Sequence, residues 1–141
     1  MNIAGYKLYS IETSRFALDG GTMFGIIPKA MWEKEAPSDD NNCIQLVTRS
    51  LLLVGHGRKI LVDSGNGNKW KEKFKSIYNI DTDSVNIESS LKKYGFYTED
   101  ITDVFCTHLH FDHVGGNTTY SNGQLIPVFS NATYWVQNEN W

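Results

Sequence analysis

The sequence predicts an α/β chain in which helices cover a sheet. Three observations carry that reading. Most of the first 63 residues consist of short runs rich in β-branched and aromatic residues, separated by turn formers. Between Asn68 and Gly95 the apolar residues recur instead at helical spacing. From Ile101 a short apolar run returns, and the tail holds one or two more. Strands, helices and strands in that order build a sheet with helices packed on it.

Taken in chain order, Tyr6 to Leu18 reads as a strand of mixed apolar and polar residues. Gly20 and Gly21 mark a turn or a close backbone approach. Ile27 to Asn42 is loop-like, with Pro28 and Pro37 and a cluster of turn formers near its end. Ile44 to Val54 and Lys59 to Asp63 read as two strands joined by a tight turn at "GHGR". Trp70, Phe74 and Ile77 then fall on one helical face, and Ile87, Leu91 and Tyr94 on another. The second helix has a capping candidate near Asp83 and a terminating glycine at Gly95. After a turn at "TED", "ITDVFCTH" reads as a short strand, and "LIPVFSNATYWVQ" as the closing strands. No repeat, low-complexity stretch or linker divides the chain.

Composition narrows the classes. The 141 residues match one domain, and 40% hydrophobic content sustains a core. The net charge is −3, and the one lysine-rich stretch, "NKWKEKFK", is broken by Glu72, Trp70 and Phe74. It reads as a solvated helix face, so no nucleic-acid partner is expected. Cys43 and Cys106 form no C-x-x-C pair, and Cys106, inside an apolar run, reads as a buried thiol. Without a disulfide framework a reducing, cytoplasmic setting is expected. The first ten residues lack the pattern of a secretory leader, and no apolar stretch reaches membrane-spanning length.

The chemistry concentrates in "CTHLHFDHVGG". Three of the four histidines, His108, His110 and His113, fall within six residues, with Asp112 among them. Residues two apart at a strand end point to the same side, which brings the His108 and His110 imidazoles together. Asp112 and His113 follow in the turn, where Gly115 and Gly116 let the backbone bend. Neutral imidazoles and a carboxylate suit zinc and similar metals. A polar loop with locally satisfied histidines is the plainer alternative. Four ligand-type residues in this spacing favour a metal site, where bound water reaches a pKa of about 7. Asp112 could both ligate and take a proton from that water.

"THLHFDHVGG" resembles the H-x-H-x-D-H signature of the metallo-β-lactamase-fold hydrolases. "ILVDSGNG" resembles their first motif, a strand ending in Asp then Gly, and the order of elements between the motifs agrees over residues 44 to 120. "GGTMFGIIPKAMW" is similar to the opening of the quorum-quenching lactonases and methyl parathion hydrolase-like enzymes. The resemblance implies an αββα sandwich, of which residues 1–141 form the N-terminal αβ half, a mixed sheet with helices on one face. It implies His108 and His110 as ligands of a first zinc ion, Asp112 and His113 as ligands of a second. Asp63 would orient the ligand loop by hydrogen bonding from behind. Met23 and Phe24 would line an apolar substrate pocket, or serve ordinary packing. The family's later ligands, two histidines and a bridging aspartate, have no counterpart after His113. Two readings of that shortfall stand: a domain completed by a further C-terminal half, or a small metal-binding protein without turnover.

The expected function is metal-dependent hydrolysis of a small ester-like substrate, with a lactone as the specific case. A nucleic-acid phosphodiesterase of the same superfamily is the main alternative, disfavoured by the charge. A di-iron redox protein is a third, disfavoured because His110 stands where those members generally carry a carboxylate. A homodimer stays open.

Overall fold

A computed structural model describes all 141 residues. Strand β1 (Asn2–Ile3) turns back onto β2 (Tyr6–Asp19), a long strand that pairs antiparallel with β3 (Cys43–Gly55). Between them lie two single-turn helices, α1 (Gly20–Phe24) and α2 (Lys29–Trp32). Where a turn was expected at Gly20 and Gly21, the chain instead starts α1, because the Asp19 carboxylate accepts from the Thr22 amide at 2.8 Å and caps it. Gly20 is nevertheless a close approach: a Cβ there would collide with the Trp32 ring.

The hairpin from β3 to β4 (Arg58–Val62) forms as predicted, with His56 at φ 50° and Gly57 at φ 73° making its turn. Next come α3 (Glu72–Ile77) and α4 (Ile87–Lys92), then β5 (Asp103–Cys106) and α5 (Phe111–Val114). A short hairpin of β6 (Thr118–Ser121) and β7 (Gln124–Pro127) precedes β8 (Thr133–Val136). The main sheet runs β1-β2-β3-β4-β5-β8, antiparallel as far as β4 and parallel from β4 to β5 to β8. It is a mixed sheet, as the family resemblance implies.

The core lies on one face of it. Ile11, Leu52, Leu61 and Val104 from four neighbouring strands pack against Ile87 and Leu91 of α4, with Ile101, Cys106 and Phe129 around them. Burying each large side chain stabilises the fold by about 1.5–3 kcal/mol. α4 is capped by Asn86, whose side chain accepts from the Ser89 amide at 2.8 Å while Ser89 Oγ accepts from the Asn86 amide. Asp83 is not the cap. α3 is shorter than its periodicity implies, and its apolar residues Phe74 and Ile77 are exposed.

The opposite face of the sheet is open. Leu51, Val62, Phe105 and Trp135 stand in one cross-strand row from β3 to β8. Phe105 is 41% exposed and Trp135 48%. No helix is long and apolar enough to cross a membrane.

Between Glu12 and Ser14 a β-bulge shifts the β2–β3 register, and both Thr13 and Ser14 turn inward. Thr13 Oγ1 and Ser14 Oγ each lie 2.6 Å from Thr48 Oγ1, and the Asn66 amide donates to Ser14 Oγ at 2.9 Å. This buried polar knot fastens the loop that follows β4, and that loop positions the site.

Candidate metal centre

β5 ends at Cys106, so His108 and His110 lie beyond the strand in extended loop and not on it. Their imidazoles still come together, with centroids 4.7 Å apart. His110 ends the extended stretch, and Asp112 and His113 then sit on the single turn of α5. That turn swings the His113 ring to 3.9 Å from the His108 ring. The structure therefore gathers all three imidazoles at one place, and Asp112 Oδ2 stands 3.6 Å from His113 Nε2.

Asp63 holds this arrangement from behind. The residue leaves β4 at φ 59°, a conformation tolerated best by Gly, Asn and Asp. The Thr107 amide donates to its Oδ1 at 2.9 Å and the Thr107 hydroxyl to its Oδ2 at 2.8 Å. His113 Nδ1 lies 2.8 Å from the same Oδ2. A carboxylate only accepts, so His113 carries its proton on Nδ1 and turns the Nε2 lone pair outward. The same logic extends to His108. The Thr107 hydroxyl proton goes to Asp63, which leaves the oxygen to accept from His108 Nδ1 at 3.1 Å and frees Nε2. The Ser64 amide completes the support by donating to the His113 carbonyl at 2.7 Å.

Two nitrogens with fixed outward lone pairs and a carboxylate facing one of them fit a divalent metal. The 3.6 Å between Asp112 Oδ2 and His113 Nε2 is close to the edge, about 3.3 Å, of a tetrahedral zinc site with bonds near 2.0 Å. No three of the His, Cys, Asp and Glu side chains converge as a closed cage. The donors stand instead as neighbouring pairs, His108 with His110 and Asp112 with His113.

A cavity of about 270 Å³ opens against Asp63, Asp112 and His113, walled by Phe16, Arg49 and Ser50. A second cavity, of about 250 Å³, is lined by polar residues such as Asn68, Asp83 and Glu88 and contains no histidine. Beside the ligand turn stands an aromatic wall that the sequence reading missed. Phe111, inside the histidine signature, meets Trp70 at 5.2 Å edge to face, stacks on Tyr78 at 5.8 Å and reaches Phe16 at 6.4 Å. Met23 and Phe24 do not line the cavity; Phe24 stacks on Trp32 at 4.8 Å and Met23 is exposed. Thr107 was also missed, although it directly precedes His108. Burial pushes the Cys106 thiol up, so it packs in the core as a neutral thiol.

The comparisons with known proteins agree with this fold. Residues 44–139 match the metallo-beta-lactamase superfamily, and the chain belongs to that family. An N-acyl homoserine lactonase of Bacillus cereus is 30% identical, over 85% of this chain and 47% of that relative. The crystal structure of a probable metal-dependent hydrolase from Staphylococcus aureus covers 100% of this chain and 50% of that one, with 31% identity and a TM-score of 0.89. An N-acyl homoserine lactone hydrolase solved with its product at the catalytic metal centre shares 26% identity over 82% of this chain and 45% of its own, with a TM-score of 0.57. The chain thus spans about half the length of the relatives it matches.

Proposed function

We propose that this chain supplies the first half of a zinc-dependent hydrolase that opens a lactone ring. The observation that carries the reading is the Asp63 carboxylate, which by binding Thr107 and His113 at once presents the ligand nitrogens. His108 and His110 would hold one zinc ion, and Asp112 and His113 a second. The remaining ligands would come from a second αβ half, packed on the open face that carries Phe105 and Trp135.

Bound there, the ions would lower the pKa of water toward about 7 and polarise the substrate carbonyl. The chain's own residues do the rest. Asp63 keeps His113 in the tautomer that ligates, and Thr107 does the same for His108. Asp112, which lines the cavity, would take a proton from an attacking water. The wall of Phe111, Trp70 and Tyr78 gives an apolar part of the substrate a surface that excludes water. That wall and the lactonase relative together support a lactone with an apolar acyl chain over a charged phosphodiester. The net charge of −3 points the same way.

The test is proton release by full-length protein from an N-acyl homoserine lactone, with a phosphotriester and bis(p-nitrophenyl) phosphate in parallel. The reading expects lactone turnover that a chelator abolishes and zinc restores. Turnover of either phosphate ester with none of the lactone would retain the hydrolase and reject the substrate. Zinc uptake with no hydrolysis of any of the three would reject the enzyme.

A further inference from the structure

The loop after β4 and the turn after α5 press together main chain against main chain. The Gly116 amide donates to the Gly65 carbonyl at 2.9 Å, and a Cβ on Gly67 or Gly115 would collide with the opposing backbone. Gly67 also sits at φ 65°, which only glycine adopts without cost. Just beyond this contact the Lys69 side chain crosses over. Its Nζ donates to the Gly115 carbonyl and, at 2.5 Å, to the Thr118 carbonyl.

The Gly115 carbonyl lies in the turn that continues α5, and the Thr118 carbonyl belongs to the first residue of β6. α5 ends at Val114 and runs on as a 3-10 turn over Gly115–Asn117, and its last carbonyls have no partner within the helix. Lys69 is half-buried and pairs with no carboxylate. Burial pulls its pKa down, a cost that the two charge-assisted hydrogen bonds offset. Next to it, Thr119 Oγ1 donates to Asn68 Oδ1 at 3.1 Å.

We propose that Lys69 is a positioning residue for the ligand turn, its ammonium clamping the Gly115 and Thr118 carbonyls so that α5 holds His113 against Asp63 and Asp112 beside His113. The proposal rests on the reading of Asp112 and His113 as metal ligands. Asp63 fixes the front of the turn, and Lys69 fixes its back.

Two measurements on full-length protein test it: zinc affinity by competition with a chromophoric chelator, and hydrogen exchange at the Gly116 amide of metal-free protein. Lys69→Met keeps the stem and removes the donors. It is expected to weaken zinc binding about 10- to 100-fold and to speed exchange at Gly116. Lys69→Arg keeps a charged donor and is expected to recover most of both. Should Lys69→Met not fold, Lys69→Gln is read in the same assays, with the same expectation. Wild-type zinc affinity together with wild-type protection at Gly116 in the variant would overturn the proposal while leaving the metal site standing. A wild-type protein that takes up no zinc would instead overturn the site, and with it the role assigned to Lys69.

Discussion

Asp63 carries more of the site than any other side chain, because three donor groups from Thr107 and His113 meet on its carboxylate. Asp63→Asn keeps the shape but places an amide N–H against donors. The expected result is a loss of zinc affinity of about 10- to 100-fold, measured by chelator competition, with the far-ultraviolet spectrum unchanged. At the proposed ligands, the clustering of the side chains was legible in the sequence. His108, His110, Asp112 and His113 fall within six residues, so a short loop and one helical turn bring them near one another. Asp63 was legible through the "VDSG" motif. Thr107 and Lys69 were not, because their roles depend on contacts across more than 40 residues that no local pattern encodes.

Elements follow the same rule. The strands and the β3–β4 hairpin could be read from alternation and turn residues, since both signals are local. The sequence offers a capping candidate near Asp83, but the cap is Asn86. Asn86 directly precedes the helix and has Ser89 three residues on to return the bond, whereas Asp81 spends its carboxylate on the Asp83 and Ser84 amides of the preceding turn. Asn86→Ala is expected to cost about 1 kcal/mol, read from urea unfolding. α3 starts late because Trp70 is held outside it, its indole N–H donating to the Asn66 carbonyl and its ring against Phe111. Tertiary contacts there override the periodicity.

The parallel strands carry a pH signature. Asp103 of β5 accepts from Arg58 of β4, from Trp135 of β8 and from Thr102. Arg58 first of all, then Thr102 and Trp135, hold its pKa at about 2, against an ordinary value of 3.8, despite its burial. A carboxylate with a lowered folded pKa stabilises the fold fully above its unfolded value. That stabilisation is therefore expected to disappear as the pH falls from 3.8 toward about 2. Thermal melts should show this slope in the wild type and lose it in Asp103→Asn.

At the scale of the whole molecule, the row of Leu51, Val62, Phe105 and Trp135 is the exposed counterpart of a buried core. Exposed apolar patches of this kind mark interfaces. With the chain spanning about half of its relatives, the proposed occupant is the second αβ half. Oxidative footprinting is expected to find Trp135 protected in full-length protein and reactive in the isolated 141 residues; equal reactivity would place the second half elsewhere. The fold class was legible because periodicity and element order specify it. The open face was foreseen only through the family resemblance.

The central claim is that this chain brings four ligands to a two-metal site. Its most direct test is the metal-to-protein ratio of purified full-length protein by elemental analysis. The account predicts a ratio near two, falling when His108 or Asp112 is replaced by alanine. A ratio near zero in metal-replete protein, unchanged by those substitutions, would contradict it.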